Sequence, residues 1–188
     1  MSVKRVDLYT DGACIGNPGP GGYAAILDYK GVRKEISGGA RLTTNNRMEL
    51  LAVIRGLEAL KEPCAVRVTT DSEYVINGIQ EGWARKWQAN RWRKSDKTPA
   101  LNSDLWARLL GLCETHTVDF EWVRGHNGHT ENERCDALAL RAAKGDDLPP
   151  DQEYERKWQA QASVRDPAAS GSSAGARKRQ VGPGPWSG

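Results

Sequence analysis

The sequence lacks any long hydrophobic run. Its longest uninterrupted apolar stretches, Tyr23 to Leu27 and Leu50 to Ile54, have five residues each, whereas a membrane-spanning helix needs roughly 20. The first ten residues include Lys4, Arg5 and Asp7 and leave no apolar segment of the kind found in secretory signals. We therefore expect a cytoplasmic protein that has no membrane partner.

Closely spaced cysteine pairs are also absent. The four cysteines, at positions 14, 64, 113 and 135, are far apart and form no CxxC motif. A chain of 188 residues with 38% hydrophobic content can bury a core without disulfides. We expect reduced thiols and one main domain.

The chain has little net charge, and its charge is segregated. The formal charge of +3 arises entirely after residue 158, and residues 1–158 are balanced. Within that balanced part, the segment from Trp83 to Lys97 holds six Lys or Arg residues and one Asp. This basic segment also contains three tryptophans, a composition that suits contact with phosphates and sugars.

The end of the chain is poor in apolar residues. Of the 22 residues in 167–188, 16 are Gly, Pro, Ser or Ala. This composition leaves too little apolar surface to offset the conformational entropy lost when the segment becomes ordered. We predict one folded domain over 1–148 and a disordered tail over 167–188. For residues 149–166 the pattern leaves two possibilities, a short helix that docks on the domain or an extension of the tail.

Hydrophobic periodicity predicts five strands and five helical segments. The strands are expected over 3–10, 23–29, 32–37, 65–70 and 118–123, and the helices over 45–62, 72–78, 83–89, 103–113 and 130–143. Asp11-Gly12 is expected to form a turn and residues 16–22 an irregular loop. The sequence Thr130 to Glu133 matches a capping box.

The order of these elements predicts the fold class. Three strands joined by hairpins, followed by two strands that are each reached over a helix, give a mixed α/β sheet. We expect a three-stranded antiparallel meander plus two parallel strands, flanked by helices. Ligands in such sheets bind beyond the carboxyl ends of the parallel strands, where Asp11 and Asp71 are expected.

Two further carboxylates are expected to face the same region. Glu49 falls on the second turn of the first helix, and Asp136 lies about two turns into the last one. Four converging carboxylates would repel one another unless divalent cations lay between them. Oxygen ligands favour Mg²⁺ or Mn²⁺, and two ions about 4 Å apart would suit hydrolysis of a phosphodiester. Alternatively, Asp11 is only a turn residue and Asp71 a helix cap.

Four segments resemble the bacterial type 1 ribonuclease H family in order and spacing. They are YTDGACIGNPGPGGYA, TTNNRMEL, TTDSEYVINGI and WVRGHNGHTENERCDALA, within residues 3 to about 145. The resemblance implies a ribonuclease H fold and endonucleolytic cleavage of the RNA strand of RNA–DNA hybrids. It also implies two Mg²⁺ ions, which Mn²⁺ could replace, on the same four carboxylates: Asp11, Glu49, Asp71 and Asp136.

The resemblance also assigns a histidine. It places the catalytic-loop histidine at His126, whose glycine-flanked position suits proton relay or product release. A zinc site of His126, His129 and Cys135 is a rival interpretation, but it lacks a fourth ligand. We expect no functional role for His129 or His116.

The resemblance further implies a set of substrate contacts. Those near the site are Cys14, Asn17, Asn45 and Asn46; a DNA phosphate contacts Thr44 and Asn102; a DNA sugar contacts Trp83; and the basic protrusion includes Arg85, Lys86, Arg91 and Lys94. Alternatively, Asn45 and Asn46 only cap a helix, and Trp87 and Trp92 are core residues. Glu73 departs from many relatives, which have Gln there. An ionised Glu can only accept hydrogen bonds, whereas Gln can both donate and accept them.

The function expected from the sequence is therefore a monomeric endoribonuclease specific for RNA–DNA hybrids. Two alternatives remain open at this point. One is a DNA-directed nuclease of the same fold, which the tryptophan-rich basic segment disfavours. The other is a hybrid-binding module without activity, which the complete set of carboxylates disfavours.

Overall fold

The computed structural model describes residues 3–125 and 128–165. In this part of the chain the strands are β1 (Arg5–Cys14), β2 (Gly19–Tyr29), β3 (Val32–Thr43), β4 (Ala65–Thr70) and β5 (Thr117–Trp122). The helices are α1 (Asn45–Glu58), α2 (Glu73–Gln80), α3 (Trp83–Ala89), α4 (Ser103–Thr115), α5 (Thr130–Ala143) and α6 (Gln152–Arg165). None of these helices combines the length and the apolar character needed to cross a membrane.

The strands form one mixed sheet in the order β3-β2-β1-β4-β5. β1 pairs antiparallel with β2, as β2 does with β3, whereas β4 runs parallel to both β1 and β5. The β2–β3 hairpin turns at Lys30 and Gly31, which both have positive φ, at 54° and 81°. Such backbone angles match the right-handed twist of paired strands. The predicted α/β fold class is confirmed.

Two predictions about strand ends are wrong. β1 continues through Asp11-Gly12 to Cys14 and stays paired with β2, so no turn forms at Asp11. β2 already begins at Gly19, inside the segment expected to be irregular. The physical reason is close packing: a Cβ atom on Gly22 would lie 2.1 Å from the Ala139 carbonyl oxygen in α5. The glycines here let a helix approach a strand.

The predicted capping box at the start of α5 is also wrong. The N-cap residue is His129, and it makes no capping hydrogen bond through its side chain. The Glu133 carboxylate instead accepts from the Gly128 amide at 3.1 Å. Gly128 has a φ of 76°, and the turn there brings an amide from before the helix within reach of that carboxylate.

Helices cover both faces of the sheet. Alternate residues of β2 point to opposite sides: Ala25 and Leu27 join the larger core cluster with α1 and α4, and Ala24 and Ile26 join a smaller one with α5. The larger cluster is centred on fully buried side chains that include Trp106. Trp87 and Trp92 are half-buried and pack against it, which favours their interpretation as core residues.

Residues 149–155 are bonded to the body of the domain. The Pro149 carbonyl accepts from the Arg41 amide at 3.0 Å, and the Arg41 guanidinium binds Glu155 through two hydrogen bonds of 3.0 and 2.7 Å. Asp151 accepts from the Thr43 hydroxyl at 2.7 Å and from Arg47. The predicted tail, 167–188, lies outside the described residues, and its disorder stays a prediction.

These bonds predict different outcomes for two truncations. Removing everything after Ala162 should change the melting temperature by less than about 2 °C, because the tail has no periodic apolar face. Removing everything after Leu148 also removes Asp151, a partner of buried Arg47. This truncation should lower the melting temperature by about 10 °C. Thermal unfolding of both truncated proteins tests this expectation. Equal melting temperatures would contradict it.

Candidate metal centre and nucleic-acid interface

The four predicted carboxylates line one cavity. The cavity has a volume of about 430 Å³ and is lined by Asp11 from β1, Glu49 from α1, Asp71 from the end of β4 and Asp136 from α5. Carboxylate oxygens of the first three lie within 4.8 Å of one another. Two ligand oxygens on opposite sides of one Mg²⁺ ion are about 4 Å apart, so this spacing is close to that of a cation site.

A close contact between β1 and α1 places Glu49 beside Asp11. A Cβ atom on Gly12 would lie 2.4 Å from the Glu49 amide nitrogen, so any side chain there would push the helix away. The Gly12 amide also donates to Asp11 Oδ1 at 2.7 Å. Gly12 therefore sets both the separation of the two carboxylates and the orientation of one of them.

Asp71 is positioned at the point where β4 leads into α2. The neighbouring Ser72 is the N-cap of α2 and accepts from the Val75 amide at 3.4 Å, so Ser72 and not Asp71 caps this helix. A Cβ atom on Gly125 would lie 2.5 Å from Asp71 Oδ2. The chain that follows β5 thus passes directly against this carboxylate.

Burial makes the ionised forms of two carboxylates unfavourable. Burial, followed by the charge of Asp71 and then that of Asp136, raises the pKa of Asp11 to about 8. Burial, together with the charges of Asp11 and Asp71, raises the pKa of Glu49 well above its ordinary value. Glu49 Oε1 accepts from Asn45 Nδ2 at 3.4 Å, but its buried Oε2 has no hydrogen-bond partner among the described residues. A hard divalent cation would fit this donor set.

The histidines contribute differently. His126 lies outside the described residues, so its predicted role stays a prediction. His116 is buried and accepts from the Cys64 amide at 3.2 Å, and burial lowers its pKa. The Cys135 thiol is buried and donates to the Tyr9 carbonyl at 3.4 Å, which argues against its use as a zinc ligand.

Several predicted substrate contacts surround the cavity. Asn45 and Asn46 line it, as does the exposed Glu73. Thr44 is the N-cap of α1, and the Asn45 amide donates to Asn17 Oδ1 at 3.3 Å, so neither Asn45 nor Asn46 caps this helix. The half-buried Cys14 Sγ lies 3.6 Å from the carbonyl oxygens of both Gly19 and Thr43, and its one hydrogen can be donated to either.

A second groove adjoins this cavity. It has a volume of about 450 Å³, and its walls include Trp83, Trp87 and Lys94. Tyr74 lines both the groove and the carboxylate cavity. Trp83 is 37% exposed, so part of its ring is available to a ligand.

The basic residues of the protrusion have different surroundings. Lys94 faces the groove, but the Arg85 guanidinium lies 3.9 Å from Glu114 near the end of α4. Lys86 Nζ donates to the Glu81 carbonyl at 3.1 Å. Arg91 is exposed and has a φ of 53°.

Sequence reasoning missed the buried charge of Arg47. Only 3% of this residue is exposed, and its guanidinium binds Asp104 and Asp151. The sequence does indicate this burial, because Arg47 lies one turn before Leu50 and Leu51 on the apolar stripe of the first helix. An arginine on such a stripe needs buried partners.

Comparison with known proteins gives consistent matches. The family model described as RNase H matches residues 3–144. Ribonuclease H of Desulforamulus reducens is 63% identical over 150 residues, which cover 80% of this chain and 94% of that protein. Ribonuclease H of Rippkaea orientalis is 58% identical over 156 residues, covering 83% and 96% of the two chains.

Solved structures show the same fold. LC9-RNase H1, described as a type 1 RNase H with the type 2 active-site motif, matches with a TM-score of 0.70 and 30% identity, over 90% of this chain and 85% of that one. LC11-RNase H1 in complex with an RNA/DNA hybrid matches with a TM-score of 0.57 and 28% identity, over 73% and 96% of the two chains.

The raised pKa of Asp11 predicts how stability depends on pH without metal. Because the folded protein holds this proton up to about pH 8 and the unfolded chain releases it near pH 4, ionisation of Asp11 destabilises the fold as pH rises through that window. Asp11→Asn should therefore raise the melting temperature of the metal-free protein at pH 8 by about 5 °C. At pH 4 the difference should be small.

Thermal unfolding in a chelator at both pH values measures this effect. Asp119→Asn is the matched control, because Asp119 is an exposed carboxylate on β5. The expectation is wrong if Asp11→Asn gives the same difference from the unmodified protein at pH 4 as at pH 8.

Proposed function

The chain belongs to the ribonuclease H family, and we propose that it cleaves the RNA strand of RNA–DNA hybrids with two Mg²⁺ ions held by Asp11, Glu49, Asp71 and Asp136. Hydrolysis of hybrid RNA follows from membership of the family, which includes a structure solved with an RNA/DNA hybrid. The identity and number of the ions and the assignment of the residues are part of the proposal.

The observation that carries the assignment is the buried carboxylate cluster. Oxygens of Asp11, Glu49 and Asp71 lie within 4.8 Å of one another, and Glu49 Oε2 is buried without a partner among the described residues. Burying like charges side by side is costly unless a cation offsets them. Asp136 lines the same cavity and would provide the fourth ligand.

The protein's own groups keep these ligands in place. The Gly12 amide holds Asp11 Oδ1, and the Asn45 side chain holds Glu49 Oε1. Bound divalent cations would supply Lewis-acid stabilisation of the phosphodiester and lower the pKa of an attacking water. Asp11, Glu49 and Asp71 come from three separate elements of a packed domain, so a cation would meet three ligands that already lie close together.

Two surfaces would read the two strands of a hybrid. Small polar groups beside the cavity, Cys14, Asn17, Asn45 and Asn46, suit the 2′-hydroxyls and base edges of the RNA minor groove. Glu73, at the same cavity, can accept a hydrogen bond from a 2′-hydroxyl but cannot donate one.

The DNA strand would lie along the adjoining groove. The partly exposed Trp83 suits a deoxyribose, and Lys94, which lines the same groove, suits a phosphate. Thr44 and Asn102, at the starts of α1 and α4, would hold a second phosphate away from the cut. Arg85, Lys86 and Arg91 would add longer-range attraction.

His126 would relay protons or help the product leave. An imidazole side chain ordinarily titrates near neutral pH, which suits both roles. The preceding residue, Gly125, lies against Asp71.

Relatives named Ribonuclease H at up to 63% identity disfavour the two alternatives, a DNA-directed nuclease and an inactive hybrid-binding module. Cleavage assays on a hybrid, duplex RNA and duplex DNA, with and without Mg²⁺, separate all three. We further propose that the protein is monomeric and cytoplasmic, and size-exclusion chromatography tests the first property.

Asp71→Asn tests the metal assignment. Replacing one ligand charge should reduce hybrid cleavage by at least roughly a thousandfold, while the fold and hybrid binding persist. Cleavage rates and binding should be measured beside Asp119→Asn, which alters an exposed carboxylate on β5. Near-normal turnover of Asp71→Asn would contradict the assignment.

The groove predicts unequal roles for two basic residues. Lys94→Ala should weaken hybrid binding and reduce the slope of log Kd against log salt by about 1, because a phosphate contact is lost. Arg85→Ala removes the same charge but lies beside Glu114, and it should change the slope by less than half as much. Binding titrations at several salt concentrations measure both slopes. Equal slopes for the two variants would place the DNA strand elsewhere.

A further inference from the structure

The two residues assigned to the distant DNA phosphate share an unusual feature. Thr44 is the N-cap of α1 and Asn102 the N-cap of α4, yet neither side chain makes a capping hydrogen bond. Asparagine at an N-cap usually accepts from an amide in the first turn. Asn102 instead has a left-handed backbone, with a φ of 56°, and its side chain is bonded elsewhere.

The bonds of Asn102 give its amide a definite orientation. Oδ1 accepts from Arg47 Nη1 at 3.4 Å, and Nδ2 donates to the Tyr74 hydroxyl at 3.2 Å. That hydroxyl oxygen also accepts from Trp106 Nε1 at 3.0 Å. An amide nitrogen carries two hydrogens, and only one of them is used by Tyr74.

The orientation decides whether Asn102 can bind an anion. A phosphate oxygen only accepts hydrogen bonds, so it needs the amide NH₂ and is repelled by the amide carbonyl. A guanidinium has donors and no acceptor, so the group facing Arg47 must be the carbonyl oxygen. Arg47 therefore selects the amide orientation that leaves a donor for phosphate.

Arg47 is unsuited to bind the phosphate itself. It is 3% exposed, and its guanidinium binds Asp104 at 2.9 and 2.7 Å and Asp151 at 2.6 and 2.8 Å. Two carboxylates more than offset its single positive charge. Its bond to Asn102 is the contact through which it can influence a ligand.

We propose that Arg47 is a positioning residue for the DNA strand: it holds the Asn102 amide with its NH₂ group available to a phosphate, and Asp151 holds Arg47. The inference rests on the proposed function, which assigns the phosphate to Asn102. It gives the segment before α6 a part in substrate binding without contact with the substrate.

The experiment uses hybrids in which one DNA linkage at a time is an uncharged methylphosphonate. With the unmodified protein, a methylphosphonate at one particular linkage, distant from the cut, should raise KM roughly tenfold, because a charge-assisted hydrogen bond is lost. Asn102→Ala and Arg47→Lys should both raise KM on the unmodified hybrid and abolish the extra effect of that linkage, with little change in kcat. Non-additivity of this kind shows that residue and linkage interact.

Two further variants separate positioning from stability. Glu155→Gln removes the carboxylate that binds exposed Arg41, in the same docked segment, and should keep the full effect of the linkage. Asp151→Asn leaves Arg47 paired with Asp104 and should reduce the effect, so the test holds even if Arg47→Lys fails to fold.

The possible failures are distinguishable. If Asn102→Ala abolishes the effect of the linkage but Arg47→Lys and Asp151→Asn retain it, the phosphate site stands and the positioning role is wrong. If Asn102→Ala retains the effect, the phosphate assignment in the proposed function is wrong, and the inference fails with it.

Discussion

The burial of Asp11 beside Glu49 is the constraint on which the rest of the structure depends. Both carboxylates have raised pKa values because burial and neighbouring charges oppose their ionisation. A fold that holds them together must offset this cost through its core, and the apolar clusters on both faces of the sheet do so. Glycines make the approach possible, since side chains at Gly12, Gly22 or Gly125 would collide with α1, α5 or Asp71.

The buried charge of Arg47 is paired within the protein, whereas the buried carboxylate of Glu49 is not paired with a positive charge among the described residues. Arg47 has its carboxylate partners, Asp104 and Asp151, within the protein. Glu49 has one donor, Asn45, and a second oxygen without a partner among the described residues. An internally satisfied cluster stabilises the fold, whereas an unsatisfied one of a single sign calls for a ligand of opposite charge.

The arrangement of the two cavities suits a duplex with two chemically different strands. One cavity is acidic and bordered by small polar side chains, whereas the other is bordered by indole rings and a lysine. Tyr74 forms a wall of both and accepts hydrogen bonds from Asn102 and Trp106. The two surfaces therefore share one side chain, whose hydroxyl is held by hydrogen bonds from α4 and the residue before it.

The sequence by itself determined the types of most elements between residues 3 and 145 and indicated which carboxylates to expect at one site. Period-two and period-3.6 patterns are local, so β4, α3 and α5 were predicted with the bounds that the structure has, and the order of elements implied a mixed sheet. Asp11, Glu49, Asp71 and Asp136 could be selected because the element order brings the carboxyl-terminal parts of β1 and β4 to one edge of the sheet, with α1 and α5 beside them.

Only the tertiary structure decided that Asp11 lies within β1, that Trp83 is exposed while Trp87 and Trp92 pack on the core, and that Arg47 joins Asn102 to Asp151. Each of these depends on which distant element covers a given side chain. Arg47 and Asp151 are separated by 104 residues, and no local spacing in the sequence encodes that contact.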